Sequence, residues 1–325
     1  MTARIWVSRP DTQLMAQVMD RSYLQHVVEQ LVRRGVQKIH LLLDEPPAEV
    51  LVLLGDGSRW GIGIVIHTSR ESFLLADGGN ESSMSVFGDA VCFPALPTWD
   101  AGEGPLWSSL YFHDRHHRSE WTGWALLPTA EFSAFASSVM KGEDWREAAK
   151  GSVLRFRKVF IDEPSLGVRT PGQVIESNGR VLRGEVPGLC FHGAEREPGV
   201  WIGRGVRVAA SAQLVAPCFI GENAWIAADC TIGPDTVVGP ECVIEKGTTV
   251  GSSVVASGTY LGPGLEVSDS YVRRNVLCNV RLGVEIKIAE KYVVSSMDEF
   301  GGLPKWANLS LVVLTVVAIS TIWMR

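Results

Sequence analysis

IGENAW-IAADCT-IGPDTV-VGPECV-IEKGTT-VGSSVV, residues 220–255, decides the fold of the C-terminal part of this chain. Cut into sixes, every block opens on an aliphatic residue. Ile202, Val208, Leu214, Ile220, Ile226, Ile232, Val238, Ile244 and Val250 recur at this spacing without a break, and Gly follows at Ile202, Ile220, Ile232, Val238 and Val250. A residue of small or modest size stands four after the aliphatic, as at Ala212, Cys218, Ala224, Cys230, Thr236, Cys242 and Thr248. Helices repeat near 3.6 residues and strands near 2, so a strict six belongs to neither. It belongs to a solenoid. One aliphatic per face points into a triangular prism, and the smaller residue fits beside it. The pattern predicts a left-handed parallel β-helix of eighteen residues per coil, with Ile202, Ile220 and Val238 stacked along one edge. Val208, Ile226 and Ile244 stack along the next. After Gly251 the register slips, then resumes at Leu261 and Val267, with Val276 and Leu282 as further candidates. Four to five coils are expected between Val200 and Gly283. An open solenoid end exposes unpaired backbone, so Ile286–Phe300 is expected to close the last coil.

Downstream, residues 306–324 lie uncharged between Lys305 and Arg325. A bilayer-spanning helix needs about 20 apolar residues, and Trp306 and Trp323 would sit at the two interfaces, where amphipathic rings prefer to be. A transmembrane helix over 306–324 is the expectation. The alternative is a buried core helix, because Asn308, Ser310, Thr315, Ser320 and Thr321 make the run mildly polar.

Upstream, strands alternate with helices. Arg4–Ser8 reads as a strand, and Ser22–Arg34 as a helix with Leu24, Val27, Val28, Leu31 and Val32 on one face and Gly35 at its end. Lys38–Leu43 is a strand, Ala48–Leu54 a helix stopped by Gly55, and Ile62–His67 and Met84–Phe87 are further strands. This order predicts an α/β domain around a parallel sheet. The division expected is residues 1–178 for that domain, 179–199 for a connector rich in Gly and Pro, 200–300 for the β-helix with its closing segment, and 306–324 for the membrane helix.

Composition narrows the partners. The 325 residues are 46% hydrophobic with a net charge of -6, and an acidic surface repels nucleic-acid backbones. None of the six cysteines (Cys92, Cys190, Cys218, Cys230, Cys242, Cys278) forms a CxxC pair. Buried reduced thiols are expected. Cys218, Cys230 and Cys242 are twelve residues apart, which places them on different faces of the prism.

SYLQHVVEQLVRRGVQKIHLLL (22–43), LLGDGSRWGIGIVI (53–66), VFGDAVCFP (86–94), TGWALLPTAEF (122–132) and SLGVRTPGQVIESN (165–178) together resemble the sugar-phosphate nucleotidyltransferases, the nucleotide-sugar pyrophosphorylases, in the order that family keeps before a C-terminal β-helix. The resemblance implies a Rossmann-like domain. It also implies a reaction in which a sugar 1-phosphate attacks a nucleoside triphosphate and pyrophosphate leaves. The family uses an Arg-bearing Gly-rich loop after the first strand, a Lys beyond it and two aspartates on Mg²⁺, because the transfer needs aligned phosphates and neutralised charge.

In this chain RIWVS is followed only by RPDTQ, and no glycine precedes Gly35. The resemblance places the family Lys on Gln13, the first aspartate on Asp89 and the second on Gly167. Arg9, Gln13, Gly88 and Asp89 are therefore the candidate substrate-binding residues, with Asp89 the candidate Mg²⁺ ligand and no catalytic residue assigned. These losses predict a catalytically degenerate homologue that still binds a nucleotide sugar or sugar phosphate. It would serve bacterial exopolysaccharide or cell-surface polysaccharide synthesis beside the proteins of that process. The expected location is the inner membrane, with the soluble domains facing the cytoplasm, and self-association through the β-helix is expected. An active nucleotidyltransferase is the alternative. An acyltransferase acting through the β-helix would need a histidine base, and none follows His192. YFHDRHHRSE (111–120) groups His113, Asp114, His116, His117 and Glu120. A solvated loop is the expectation there, against a metal site. Arg115, Arg118, Arg155, Arg157 and Lys158 are alternative phosphate contacts.

Overall fold

A computed structural model of the chain describes residues 1–8, 13–76, 84–90, 92–93, 107–115, 118–150, 155–161, 165–186 and 188–300. It divides into two units, Met1–Phe191 and His192–Arg325.

The first unit is built on a seven-stranded sheet. Its order is Arg155–Ile161, Trp107–Arg115, Arg118–Pro128, Met84–Asp89, Thr2–Trp6, Lys38–Leu42 and Gly63–His67. The last four run parallel, and Arg118–Pro128 is antiparallel to both of its neighbours. Helix α1, Tyr23–Arg33, starts where the Ser22 side chain accepts the Gln25 N–H, and it buries Leu24, Val27, Val28 and Leu31. Such a cap satisfies one of the orphan donors of the first turn. Helix α2 spans Ala48–Leu54 and α3 spans Arg70–Leu75. The core on one face gathers Phe73, Phe87, Phe112, Phe132 and Phe135, the last two from α4, Thr129–Met140. Arg4 is buried among them. Its guanidinium donates to Ser85 Oγ at 2.5 Å and to the Ala76 carbonyl at 3.0 Å, and lies 4.3 Å from the centre of the Phe132 ring.

The second unit is a parallel β-helix with three faces. Val200–Ile202, Cys218–Ile220, Thr236–Val238, Val254–Val255 and Ser270–Arg273 make the first face. Arg207–Val208, Trp225–Ile226, Val243–Ile244 and Thr259–Leu261 make the second, and Gln213–Leu214, Thr231–Ile232, Thr249–Gly251 and Glu266–Ser268 the third. Ile202 pairs with Ile220 and Ile220 with Val238, the expected eighteen-residue step. Past Gly251 the step shortens, because Val238 pairs with Val255, seventeen residues on. The buried series therefore runs Val250, Val255, Leu261, Val267, Val272.

Val276 and Leu282 do not continue the repeat. Val276–Asn279 folds back antiparallel on Ser270–Arg273, and Val284–Lys287 folds back on it in turn. Alternation of Val284 and Ile286 with Glu285 and Lys287 is a period of two, which suits an antiparallel ribbon better than a coil. Leu282 is 70% exposed in the connecting turn. Val294–Ser296 then pairs antiparallel with Thr259–Leu261, and Val294 joins the prism core.

The small positions of the repeat have a polar task. Thr236 Oγ1 donates to the Pro234 carbonyl at 2.9 Å and Thr248 Oγ1 to that of Gly262 at 2.7 Å. Cys230 and Cys242 do the same with their thiols, to Glu245 and Ala256 carbonyls at 3.1 Å each. Cys218, Cys230 and Cys242 are all buried and free, and burial pushes the Cys242 thiol up to about 12.

Among the described residues no helix is long and apolar enough to cross a membrane. The expected span 306–324 lies outside them.

Two outcomes follow from this packing. A Cβ at Gly221 would lie 2.4 Å from the Pro240 backbone nitrogen of the next coil, whereas at Gly251 the nearest atom is 3.5 Å away. Gly221→Ala should cost about 1–3 kcal/mol through overpacking, read as a loss of several degrees in the melting temperature of the β-helix, and Gly251→Ala should melt close to the native chain. His26 is buried with Nε2 2.9 Å from the Val18 carbonyl, and desolvation holds its pKa below the ordinary 6.5. The unfolded chain then binds the extra proton first, so the stability this residue contributes is complete above 6.5 and is lost as pH falls below it. Melting temperature should fall as pH is lowered through 6.5, and the fall should be shallower in His26→Gln.

Candidate functional site

In an open α/β sheet, ligands bind beyond the carboxyl ends of the strands, where strand order reverses. Here the chain adds Lys38–Leu42 and Gly63–His67 on one side of Thr2–Trp6, then returns to place Met84–Asp89 on the other. The reversal therefore falls between the ends of Thr2–Trp6 and Met84–Asp89, where Trp6 pairs with Asp89.

Three hydrogen bonds fix the chain at this strand end, two of them on Asp89 itself. The Ser8 N–H donates to its Oδ1 at 3.2 Å, the Ala90 N–H donates to the Trp6 carbonyl at 2.9 Å, and the Trp124 indole N–H donates to the Asp89 carbonyl at 3.1 Å. Gly88 is required by the same indole, because a Cβ there would lie 2.4 Å from Trp124 Cζ3. Trp124 itself is fully buried. Sequence reasoning had the motif that contains it, TGWALLP, but nothing in that motif says the ring lies across the strand carrying Asp89.

Gln13 enters through its backbone: its N–H donates to the Val168 carbonyl at 3.4 Å and its carbonyl accepts from Ala16 at 2.8 Å. Gly167, beside Val168, is in the strand Leu166–Gly167, antiparallel to Cys92–Phe93, with Gly167 opposite Cys92. Fold topology thus brings the position of the expected second aspartate to the segment just after Asp89. No side chain is there. Ser177, on helix α5 (Pro171–Leu182), accepts the Gly167 N–H at 3.0 Å and donates to its carbonyl at 2.8 Å. Gln173 Oε1 lies 3.5 Å from where a Cβ would stand and accepts the Arg169 N–H at 2.9 Å. Arg9 lies outside the described residues.

The segment after the first strand is therefore pinned at both ends, at Ser8 on Asp89 and at Gln13 beside Gly167. Sequence reasoning found Asp89, Gly88, Gln13 and Gly167 but missed Ser8, Trp124 and Ser177, which act through a backbone N–H, an indole ring and a hydroxyl.

The other polar clusters lie elsewhere. The 111–120 run is mostly strand rather than loop: His113 stands opposite Glu120, Asp114 opposite Ser119 and Arg115 opposite Arg118 across a hairpin, while residues 116–117 lie outside the described residues. Among the described residues no group of three or more His, Cys, Asp or Glu side chains is placed to hold a metal ion. Arg157 Nε donates to Ser109 Oγ at 2.8 Å, and Lys158 Nζ lies 5.2 Å from the centre of the Phe112 ring. Both are on the outer strand Arg155–Ile161, away from the reversal.

Gly88→Ala should force the Trp124 indole off the strand end and break its bond to Asp89. The expected readings are a loss of about 1–3 kcal/mol in denaturant unfolding and a red shift of tryptophan fluorescence as the ring gains solvent. An unchanged emission maximum would mean the ring does not cover this strand.

Residues 214–297 match the family described as the GMPPB C-terminal domain. No curated protein matches the chain. Among solved structures, a chain described as a glucose-1-phosphate thymidylyltransferase from Bacillus anthracis, crystallised with sucrose, is similar at 12% identity and a TM-score of 0.41. The likeness covers 59% of this chain and 97% of that one.

Proposed function

We propose, from the premise that this chain carries the hexapeptide-repeat β-helix of the sugar-phosphate nucleotidyltransferase family, that its N-terminal unit binds a nucleotide sugar or sugar phosphate without making one. The observation that carries this reading is the hydrogen bond from the Ser8 N–H to Asp89. Phosphoryl transfer between two anionic substrates needs backbone donors and cations aimed at the oxygens where charge develops. In this chain the Ser8 N–H, two residues past the strand, is spent on the one carboxylate that remains. Gln13 carries no positive charge, and Gly167 has no side chain.

The same residues do not suit Mg²⁺. That ion demands near-octahedral oxygen ligation and commonly takes one or two carboxylates together with substrate phosphates. Asp89 alone, with Oδ1 already accepting a backbone hydrogen bond, leaves the expected pair incomplete. What Asp89 can do is accept hydrogen bonds from sugar or ribose hydroxyls at the strand reversal. Gly88 keeps the adjoining backbone bare under Trp124.

The uncharged run 306–324 supports the wider reading. It would tether the chain to a bacterial inner membrane with both units on the cytoplasmic side. There a bound nucleotide sugar would lie beside the proteins that use it for surface polysaccharide. An active nucleotidyltransferase is the second reading, favoured by the placing of Asp89 at the strand reversal.

The test pairs turnover with binding on the full chain. Pyrophosphate release should stay at the blank rate for every pairing of nucleoside triphosphate with sugar 1-phosphate. At a hundred times its dissociation constant, a nucleotide sugar should stabilise the unit by about 2.7 kcal/mol, read as a rise in melting temperature. Asp89→Asn, which keeps an acceptor for Ser8, should lower that rise while leaving the unliganded melting point near native. Steady pyrophosphate release would replace this reading with the second one. Absence of any shift across nucleotides, nucleotide sugars and sugar phosphates would remove the binding role.

A further inference from the structure

The strand Val284–Lys287 ends the eight-stranded sheet of the second unit. Among the described residues it pairs only on one side, with Val276–Asn279, and it is exposed along its whole length. Ile286 is 50% and Val284 44% exposed. A strand edge of this kind offers a row of N–H and C=O groups to another strand. Natural edges are commonly guarded by charge, and this one has both signs, Glu285 and Lys287, on one face.

The direction of its backbone groups can be read from the ribbon. The Ile288 N–H donates to the Asn275 carbonyl, and the register places Ile286 opposite Leu277 and Val284 opposite Asn279. In an antiparallel ladder, alternate residues turn both backbone groups to the same side. Val284, Ile286 and Ile288 therefore bond inward, while Glu285 and Lys287 turn their N–H and C=O to the free edge.

We propose that this edge pairs with the same edge of a second copy of the chain, antiparallel about a twofold axis through Ile286. In that register Glu285 of each copy faces Lys287 of the other. Each of the two pairs is then of the hydrogen-bonded kind, exchanging two N–H···O bonds. Opposite charges stand directly across the ladder, the arrangement that stabilises cross-strand pairs. Ile286 faces Ile286, and Val284 faces Ile288. This continues onto the second copy the apolar row that Leu277 and Ile288 already form against the prism core. Sliding the register by two residues in either direction sets Glu285 against Glu285 or Lys287 against Lys287. One alignment thus satisfies the free backbone, the charges and the apolar row together, and it is self-complementary, as a twofold interface must be. The second copy is favoured over a foreign strand because the four residues carry their own complement.

Charge exchange tests this directly. Sedimentation of the full chain in mild detergent should show monomer and dimer in concentration-dependent exchange. Glu285→Lys and Lys287→Glu should each lower dimer formation at least tenfold, since each sets like charges across both pairs. Mixing the two variants should restore it, because in the mixed dimer each of the two cross-strand pairs again sets a cation against an anion. Ile286→Cys, at a non-hydrogen-bonded pair with Cα atoms about 4.5 Å apart, falls within disulfide reach. It should cross-link on oxidation well above the native chain, while Val284→Cys should not. A native chain that stays monomeric, charge variants that associate like the native chain, or a mixture no better than either variant alone would each overturn the proposal. Should a charge variant fail to fold, the Ile286→Cys cross-link decides by itself: none above native background overturns it.

Discussion

A backbone N–H bonded to a carboxylate sets the character of the N-terminal unit. Ser8 donates to Asp89 where strand order reverses, the place in such a sheet where a ligand is expected. Around that bond the neighbouring parts fall into place: the Trp124 ring over Gly88, the Ala90 amide on Trp6, and the return of the chain to Val168 through Gln13. Among the described residues, the strand ends there carry hydrogen bonds within the chain at Ser8, Ala90 and Trp124.

The second unit rests on a different constraint, the close stacking of backbone on backbone. Coils lie near enough that a methyl group at Gly221 would meet Pro240 within 2.4 Å. The corner residues that take left-handed conformations include Asn223, Asp229, Asp235 and Glu241, and Asn and Asp tolerate that region better than most side chains. Buried hydroxyls and thiols then answer the carbonyls that the tight corners turn inward. The cysteines serve as small residues with a weak donor, and burial of Cys218 and Cys242 pushes their thiols up to about 11 and about 12, away from reactive thiolates.

Where the six-residue rule stops, so does the solenoid. One residue is lost between Val250 and Val255, and another between Val267 and Val272, and the coil tolerates both because the pairing simply steps by seventeen. Beyond Arg273 the period becomes two, and the sheet continues as an antiparallel ribbon. That change turns a closed prism face into an open strand edge, with its own demand for a partner.

The sequence by itself determined the β-helix, its three faces and its slip, because a period of six leaves the core only one way to be filled. It also determined the α/β unit, since each helix and strand there carries its own local signal, and it identified Asp89, Gly88, Gln13 and Gly167 through a resemblance in order and spacing. Tertiary structure alone decided what surrounds those residues. That Ser8 would bond Asp89 and that the Trp124 indole would reach the same strand end are contacts across 81 and 35 residues, and Ser177 bridges both backbone groups of Gly167 from ten residues away, on a helix. The fate of Val276 and Leu282 was likewise settled by folding: both are aliphatic and near the right spacing, but Val276–Asn279 is paired on both sides in the antiparallel ribbon, and Leu282 falls in its turn.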